Sequence, residues 1–378
     1  MRSRSTGAVV RVTQNGRVTS NPTWFANHCD PAWTAPQPDP SAIAFHRRLP
    51  GYAVTPLVEL PLIARDLDVG RVFAKVESQR LGLPAFKGLG ASCAVSRILD
   101  QLDGSRQVTI VTATDGNHGR AVARWAVHFG QRAKVLVPEG VHPDAIAAIR
   151  SEGADVEQVD GTYDVAVELA ASVGDQDHHV LIQDTAWRGY EEIPGWIVDG
   201  YDTLFVEFDQ QLSDRTVRRP DLVVVPTGVG SLLQAALFHF RQPGSHARTA
   251  VVSVEPGNAA CVYASVAAGR PVSVTTEVTS MAGLNCGTIS SLAWPIIAAG
   301  LDAALVTNDT AVARSAEMLA DMGVDAGPCG AASLAALSDL GDSEAIAFRS
   351  HVGIDGDSTV VLLITEGRSA NPPRQKSR

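Results

Sequence analysis

A chain of 378 residues with 45% hydrophobic and 19% charged side chains is long enough for two cores and too apolar to be disordered. A formal charge of −10 with no run of Lys and Arg argues against a nucleic-acid partner, so an anionic ligand must be held by local geometry. No stretch reaches the ~20 uninterrupted apolar residues of a membrane span, and the nearest, Leu292 to Val306, is broken by Pro295, Gly300 and Asp302.

The opening stretch Met1 to Thr19 carries Arg2, Arg4, Arg11 and Arg17 without an apolar run, so it reads neither as a secretory signal nor as an amphipathic transit peptide. Residues up to Pro50 are Pro-rich with weak periodicity and are expected to form an arm around the body. From Ala91 onward, Ala94, Val95, Ile98, Leu99 and Leu102 recur at helical spacing, as do Ala121, Val122, Trp125 and Phe129. Six nearly continuous apolar runs read as strands buried on both faces: Val108–Thr112, Ala133–Val137, Val180–Ile182, Leu222–Val225, Ala250–Val254 and Thr359–Ile364. Strands alternating with helices predict an α/β fold of two open, mainly parallel sheets flanked by helices. The tail from Ser369 reads as disordered. Five scattered cysteines without a CxxC pair fit a reduced cytoplasm and offer no metal site. Cys261 and Cys286 could pair, although buried free thiols are the stronger reading.

In such folds the loops leaving the carboxyl ends of strands bind the ligand. Three loops are rich in glycine and polar residues: Thr114–Gly119, Pro226–Ser231 and Thr365–Arg368. Lys87, in Phe86-Lys87-Gly88-Leu89-Gly90, could be an ordinary surface lysine. Its flanking Leu83, Ala85, Phe86 and Leu89 argue instead for a desolvated amine, whose lowered pKa would make it a Schiff-base nucleophile. Pro226-Thr227-Gly228-Val229-Gly230-Ser231-Leu232 is either a plain tight turn or an anion site built from helix-terminal amides. Leu233 at the third glycine position disfavours a dinucleotide fingerprint. Thr114, Asp115 and Asn117 suit a helix cap, a ligand site, or both.

Taken in order, these elements resemble the tryptophan-synthase-like (fold type II) pyridoxal-phosphate enzymes, and among them the diaminopropionate ammonia-lyase family. The likeness rests on the run Lys75 to Lys87, on Ala113-Thr114-Asp115-Gly116-Asn117-His118-Gly119-Arg120, and on Gln183-Asp184-Thr185-Ala186-Trp187-Arg188-Gly189-Tyr190-Glu191-Glu192-Ile193-Pro194. It extends from about Asn21 to Arg368.

The resemblance implies a large cofactor-binding domain from residues 1–94 and 205–378, a small domain from 95–204, and a homodimer. It makes Lys87 the lysine bonded to pyridoxal 5′-phosphate and the base for an L-substrate. Asn117 would bind the cofactor's O3′, and Gly228, Val229, Gly230, Ser231 and Leu232 would cradle its phosphate. Thr365 would face the pyridine nitrogen, a neutral partner that suits elimination. Asp115 stands where most fold type II enzymes carry a hydroxyl. The family assigns it the proton of the D-isomer, a task needing a pKa near ambient pH. Asp184 would receive the β-amino leaving group, unless it merely caps a helix over Thr185 to Tyr190. Val76, Pro84 and Cys93 depart from the family pattern, which touches substrate preference more than reaction type. The implied reaction is α,β-elimination of 2,3-diaminopropionate, D or L, to pyruvate and ammonia. The alternatives are a serine/threonine dehydratase or a β-replacement synthase, for which a serine at the position of Asp115 would be usual.

Overall fold

The computed structural model describes residues 23–30, 32–102, 107–217, 219–243 and 248–370. The arginine-bearing stretch Met1 to Thr19 and the tail beyond Ala370 lie outside them. Eleven strands form among the described residues: β1 (Trp24–Ala26), β2 (Leu57–Glu59), β3 (Arg71–Val76), β4 (Thr109–Ala113), β5 (Arg132–Pro138), β6 (Asp155–Val159), β7 (His179–Leu181), β8 (Leu222–Pro226), β9 (Ala250–Pro256), β10 (Ala303–Thr307) and β11 (Thr359–Ile364). They build a seven-stranded sheet, β1-β10-β9-β8-β11-β3-β2, and a four-stranded sheet, β6-β5-β4-β7. Only the edge strands β1 and β2 pair antiparallel; the rest of both sheets is parallel. Two mainly parallel sheets flanked by helices is the predicted architecture.

The apolar runs became strands because parallel sheets are covered by helices on both faces. Every residue of β8, β9 and β11 is buried. Besides the short edge strands β1 and β2, three strands escaped the sequence reading for separate reasons. In β3 the charged Arg71 and Lys75 break the apolar run. In β6 only Val156 and Val159 are buried, so it looks polar. The apolar stretch near Leu292 splits into a helix, Trp294–Gly300, and β10, divided by Leu301 and Asp302.

Within the expected arm, β1 adds to the edge of the large sheet through pairing with β10, and a short helix forms over Ser41–His46. At the other end, order extends past the expected start of disorder at Ser369: the amide of Ala370 donates to Gly367 O (3.1 Å) and its side chain is buried. The turn is held by packing that the polar tail sequence does not announce. Cys261 and Cys286 are free thiols, as the stronger reading had it. Among the described residues no helix is long and apolar enough to cross a membrane.

A fully buried ionic cluster anchors the segment between β3 and Lys87. Arg80 donates to both oxygens of Glu207 (2.7 and 2.7 Å) and both of Glu77 (2.7 and 2.8 Å). Lys75 Nζ, inside β3, donates to Glu207 Oε2 at 2.9 Å. Each buried charge therefore has a partner, which is the condition for burying it at all. Glu207 lies on the long helix Glu192–Ser213, so the cluster ties that helix to the chain approaching Lys87.

Candidate active site

The loops that follow β3, β4, β7, β8 and β11 converge at the carboxyl ends of their strands and enclose one cavity. Lys87, Asp115, Asn117, Asp184, the run Gly228 to Leu232 and Thr365 all line it. Every predicted site residue is thereby brought to one place.

Lys87 opens the helix Lys87–Gln101. Its approach is fixed by the bond from Phe86 N to Thr365 O (3.1 Å) and by the bridge between Ala85 and Glu366. One turn later, Gly90 permits contact with the helix Glu192–Ser213: a Cβ there would lie 2.6 Å from Ile197 Cγ2 and 2.7 Å from Tyr201 Cε1. Lys87 Nζ donates to Asp184 Oδ2 at 2.5 Å and sits 5.2 Å and 5.9 Å from the ring centres of Phe86 and Tyr201. This corrects the expectation of an amine with lowered pKa. Burial does push it down, but the attraction of Asp184 prevails and raises it above the usual lysine value. In turn burial would raise the Asp184 carboxyl, while charge interactions with His118 and Lys87 and the hydrogen bond from Lys87 hold it at about 2. The alternative of Asp184 as a helix cap falls away, since no helix follows until Glu192.

The loop after β4 shows that capping and site formation are divided between residues. Thr114 Oγ1 accepts from the amides of Gly116 (3.0 Å) and Gly119 (3.1 Å) at the start of the helix Asn117–His128. Asp115 and Asn117 are left to face the cavity. Burial, followed by the negative fields of Asp184 and Asp164, lifts the Asp115 carboxyl to about 7. That value suits proton transfer near neutral pH.

The glycine run links β8 to the helix Ser231–Phe240. Gly230 has φ +103°, and a Cβ there would lie 2.9 Å from Ile297 Cδ1, so the turn requires glycine. Ser231 Oγ donates to Asp184 O at 2.6 Å, joining the run to the loop after β7. Among the described residues, the amides of Gly228 to Leu232 have no protein acceptor. A helix N-terminus with several such donors is a phosphate site in waiting. Thr365 Oγ1 is likewise buried without a hydrogen-bond partner. A primary amine, a nest of free amides and an orphaned hydroxyl on one cavity fit pyridoxal phosphate: a carbonyl, a phosphate and a ring nitrogen respectively.

His118, Glu366 and Tyr163 also line the cavity and received no role from the sequence, although the first two lay inside quoted motifs. His118 donates through Nε2 to Ile182 O (3.0 Å), leaving Nδ1 3.8 Å from Asp184 Oδ2, and burial lowers its pKa. Glu366, next to Thr365, is buried and accepts from Asn117 Nδ2 (2.5 Å) and the Cys329 amide (3.1 Å). Tyr163 OH accepts from Gln183 Nε2 at 2.8 Å, and burial keeps the phenol protonated. Tyr163 had no signal, because it enters from a helix far from every motif.

A family profile described as "Pyridoxal-phosphate dependent enzyme" matches residues 48–366. The chain is 36% identical over 354 residues to diaminopropionate ammonia-lyase of Salmonella typhimurium (strain LT2), covering 86% of this chain and 88% of that protein. Its counterpart in Escherichia coli (strain K12) is 32% identical over 345 residues, with 85% and 86% covered. Among solved structures, the Escherichia coli diaminopropionate ammonia lyase in complex with an aminoacrylate-PLP azomethine reaction intermediate superposes with TM-score 0.83 at 31% identity, covering 92% of this chain and 94% of that one. The same enzyme in complex with D-serine gives TM-score 0.84 at 30% identity, with 92% and 94% covered.

Proposed function

The chain belongs to the pyridoxal-phosphate dependent enzymes and, within them, to the diaminopropionate ammonia-lyase family; on that premise we propose that it eliminates ammonia from 2,3-diaminopropionate of either hand. The observation that carries this reading is the trio of Lys87, Asp184 and Asp115 on one cavity, with Asp115 poised near 7.

The residues present fit the cofactor, and Lys87 would bear it, with Asn117 at O3′, the amides of Gly228, Val229, Gly230, Ser231 and Leu232 at the phosphate, and Thr365 at the ring nitrogen. When bound, the group supplies an electron sink for the substrate's α-carbon. Lys87, released as a free amine, takes the α-proton of the L-isomer, and Asp115 takes that of the D-isomer. Asp184 holds the substrate's β-ammonium where it leaves as ammonia with the carbon–nitrogen bonding pair. The released 2-aminoacrylate adds water outside the site, yielding pyruvate and a second ammonia. Asp184 pairs here with the Lys87 ammonium, and when Lys87 bears the cofactor instead the same carboxylate is left to receive the substrate's β-ammonium, which is why the 2.5 Å pair supports the reading. A hydroxyl leaving group brings no such charge, and a serine/threonine dehydratase or β-replacement synthase gains nothing from Asp115.

The reading carries further expectations. Residues 1–94 with 205–378 form the large domain and 95–204 the small one, a division supported by β4 to β7 all falling within 109–181. Free thiols support a reducing cytoplasm as the location. A homodimer is expected, for which light scattering on the purified protein is the measurement. The activity is tested by supplying purified protein and pyridoxal phosphate with each enantiomer and following pyruvate. Pyruvate from both is the expected result, and none from either overturns the proposal.

A further inference from the structure

Glu366 is a buried carboxylate that the proposed reaction does not use. It stands beside Thr365 at the end of β11, and only 1% of it is exposed. Its two oxygens are engaged separately: Oε1 accepts from the Cys329 amide (3.1 Å) and Oε2 from Asn117 Nδ2 (2.5 Å). Both oxygens of Glu366 thus act as acceptors. The fold makes room for it. At Gly327 a Cβ would lie 3.1 Å from both Glu366 Cγ and Oε1 and 2.5 Å from Gly367 O, and the Gly327 amide donates to Glu366 O (2.9 Å). The side chain is therefore locked from behind and faces Asn117 across the cavity wall.

An asparagine amide is ambiguous: rotation by a half-turn exchanges a two-hydrogen donor for an acceptor. In this structure the amide is turned with its Nδ2 to Glu366 Oε2. One Nδ2 hydrogen of Asn117 goes to Glu366, which leaves the other hydrogen of the same nitrogen for a ligand. We infer that Glu366, as a carboxylate ion without a donor of its own, is a positioning residue that holds Asn117 with its nitrogen toward the cofactor's phenolic oxygen and so keeps that oxygen deprotonated in the lysine-bound form. The inference rests on the proposed placement of pyridoxal phosphate with O3′ at Asn117. Its chemical content is one proton: a donor facing O3′ favours the form with a phenolate oxygen and a proton on the Lys87 nitrogen, which absorbs visible light. An acceptor facing O3′ favours the form with the proton on oxygen, which absorbs in the near ultraviolet.

Glu366→Gln tests this with little change of shape. The Cys329 amide still needs an acceptor, so the glutamine turns its oxygen there and its nitrogen toward Asn117. Asn117 then flips to accept, and its oxygen faces O3′. In the reconstituted holoenzyme the visible-to-near-ultraviolet intensity ratio should fall about tenfold, the factor that ~1.4 kcal/mol carries. Cofactor stoichiometry is measured on the same sample. An unchanged ratio in folded, loaded Glu366→Gln overturns the inference. If that variant is not recovered folded, Asn117→Ala replaces it, since the effect runs through the amide. Asn117→Ala should also lose visible intensity, and retention of the wild-type ratio refutes the proposal. Failure of the underlying reading looks different, because wild type would then show no visible band that borohydride abolishes.

Discussion

Lys87 Nζ and Asp184 Oδ2 lie 2.5 Å apart inside the cavity, so the amine that must become a nucleophile is stored as an ammonium. Once Lys87 is engaged by the cofactor, the same carboxylate is left for another cation. Asp184→Asn keeps the shape and removes the charge. Its kcat/KM for diaminopropionate should fall about tenfold to a hundredfold, the range for a hydrogen bond to a charged group. Any side activity on serine should fall less, because a hydroxyl does not use the charge. Equal losses on both substrates would remove Asp184 from β-amino recognition.

Asp115→Asn separates the two bases. Turnover of the D-isomer should drop about a hundredfold or more, the contribution of a positioned general base, while the L-isomer retains turnover near wild type. The assay is pyruvate formation from each enantiomer. Equal loss of both would refute the two-base scheme.

The same residue predicts a pH dependence. Its carboxyl is raised to about 7 by burial first and by Asp184 and Asp164 next. A base must be ionised to accept a proton, so D-isomer turnover should rise as pH increases through about 7 and level off above it. The L-isomer, whose base is Lys87, should not share that limb. Identical profiles for the two enantiomers would count against Asp115.

Gly230→Ala probes the phosphate turn. Its φ of +103° and the 2.9 Å approach to Ile297 Cδ1 leave no room for a methyl group. Backbone strain of about 1–3 kcal/mol should lower pyridoxal-phosphate affinity roughly tenfold or more, read by titration of the apoprotein. Unchanged affinity would place the phosphate elsewhere.

Arg80→Met leaves Glu77 and Glu207 buried without their shared partner. The expected cost is ~3–5 kcal/mol of stability, measured as a lower unfolding midpoint in denaturant. A midpoint near wild type would show that the cluster relaxes around the loss.

Which parts were legible from sequence follows from what local chemistry can encode. Continuous apolar runs such as Thr359–Ile364 announced strands because both of their faces are covered, and strand–loop–helix order placed the ligand loops at the carboxyl ends. The motif around Lys87, the Asp115 loop and the glycine run likewise named the residues that line the cavity. Local sequence could not announce β3, because the Lys75 that interrupts its run is neutralised by Glu207 from a helix 132 positions away. It also misjudged Lys87. Flanking apolar residues imply desolvation and a lowered pKa, but the decisive charge, Asp184, comes from 97 positions along the chain. Pairing of Asn117 with Glu366 spans 249 positions, and it turns the nitrogen of the amide toward Glu366. Local sequence carried the strands buried on both faces, the ligand loops and the kinds of groups they bear, because those depend on neighbours along the chain. Only the tertiary structure decided how those groups are protonated and turned, because electrostatic fields and hydrogen bonds act through space between strands that fold brings together.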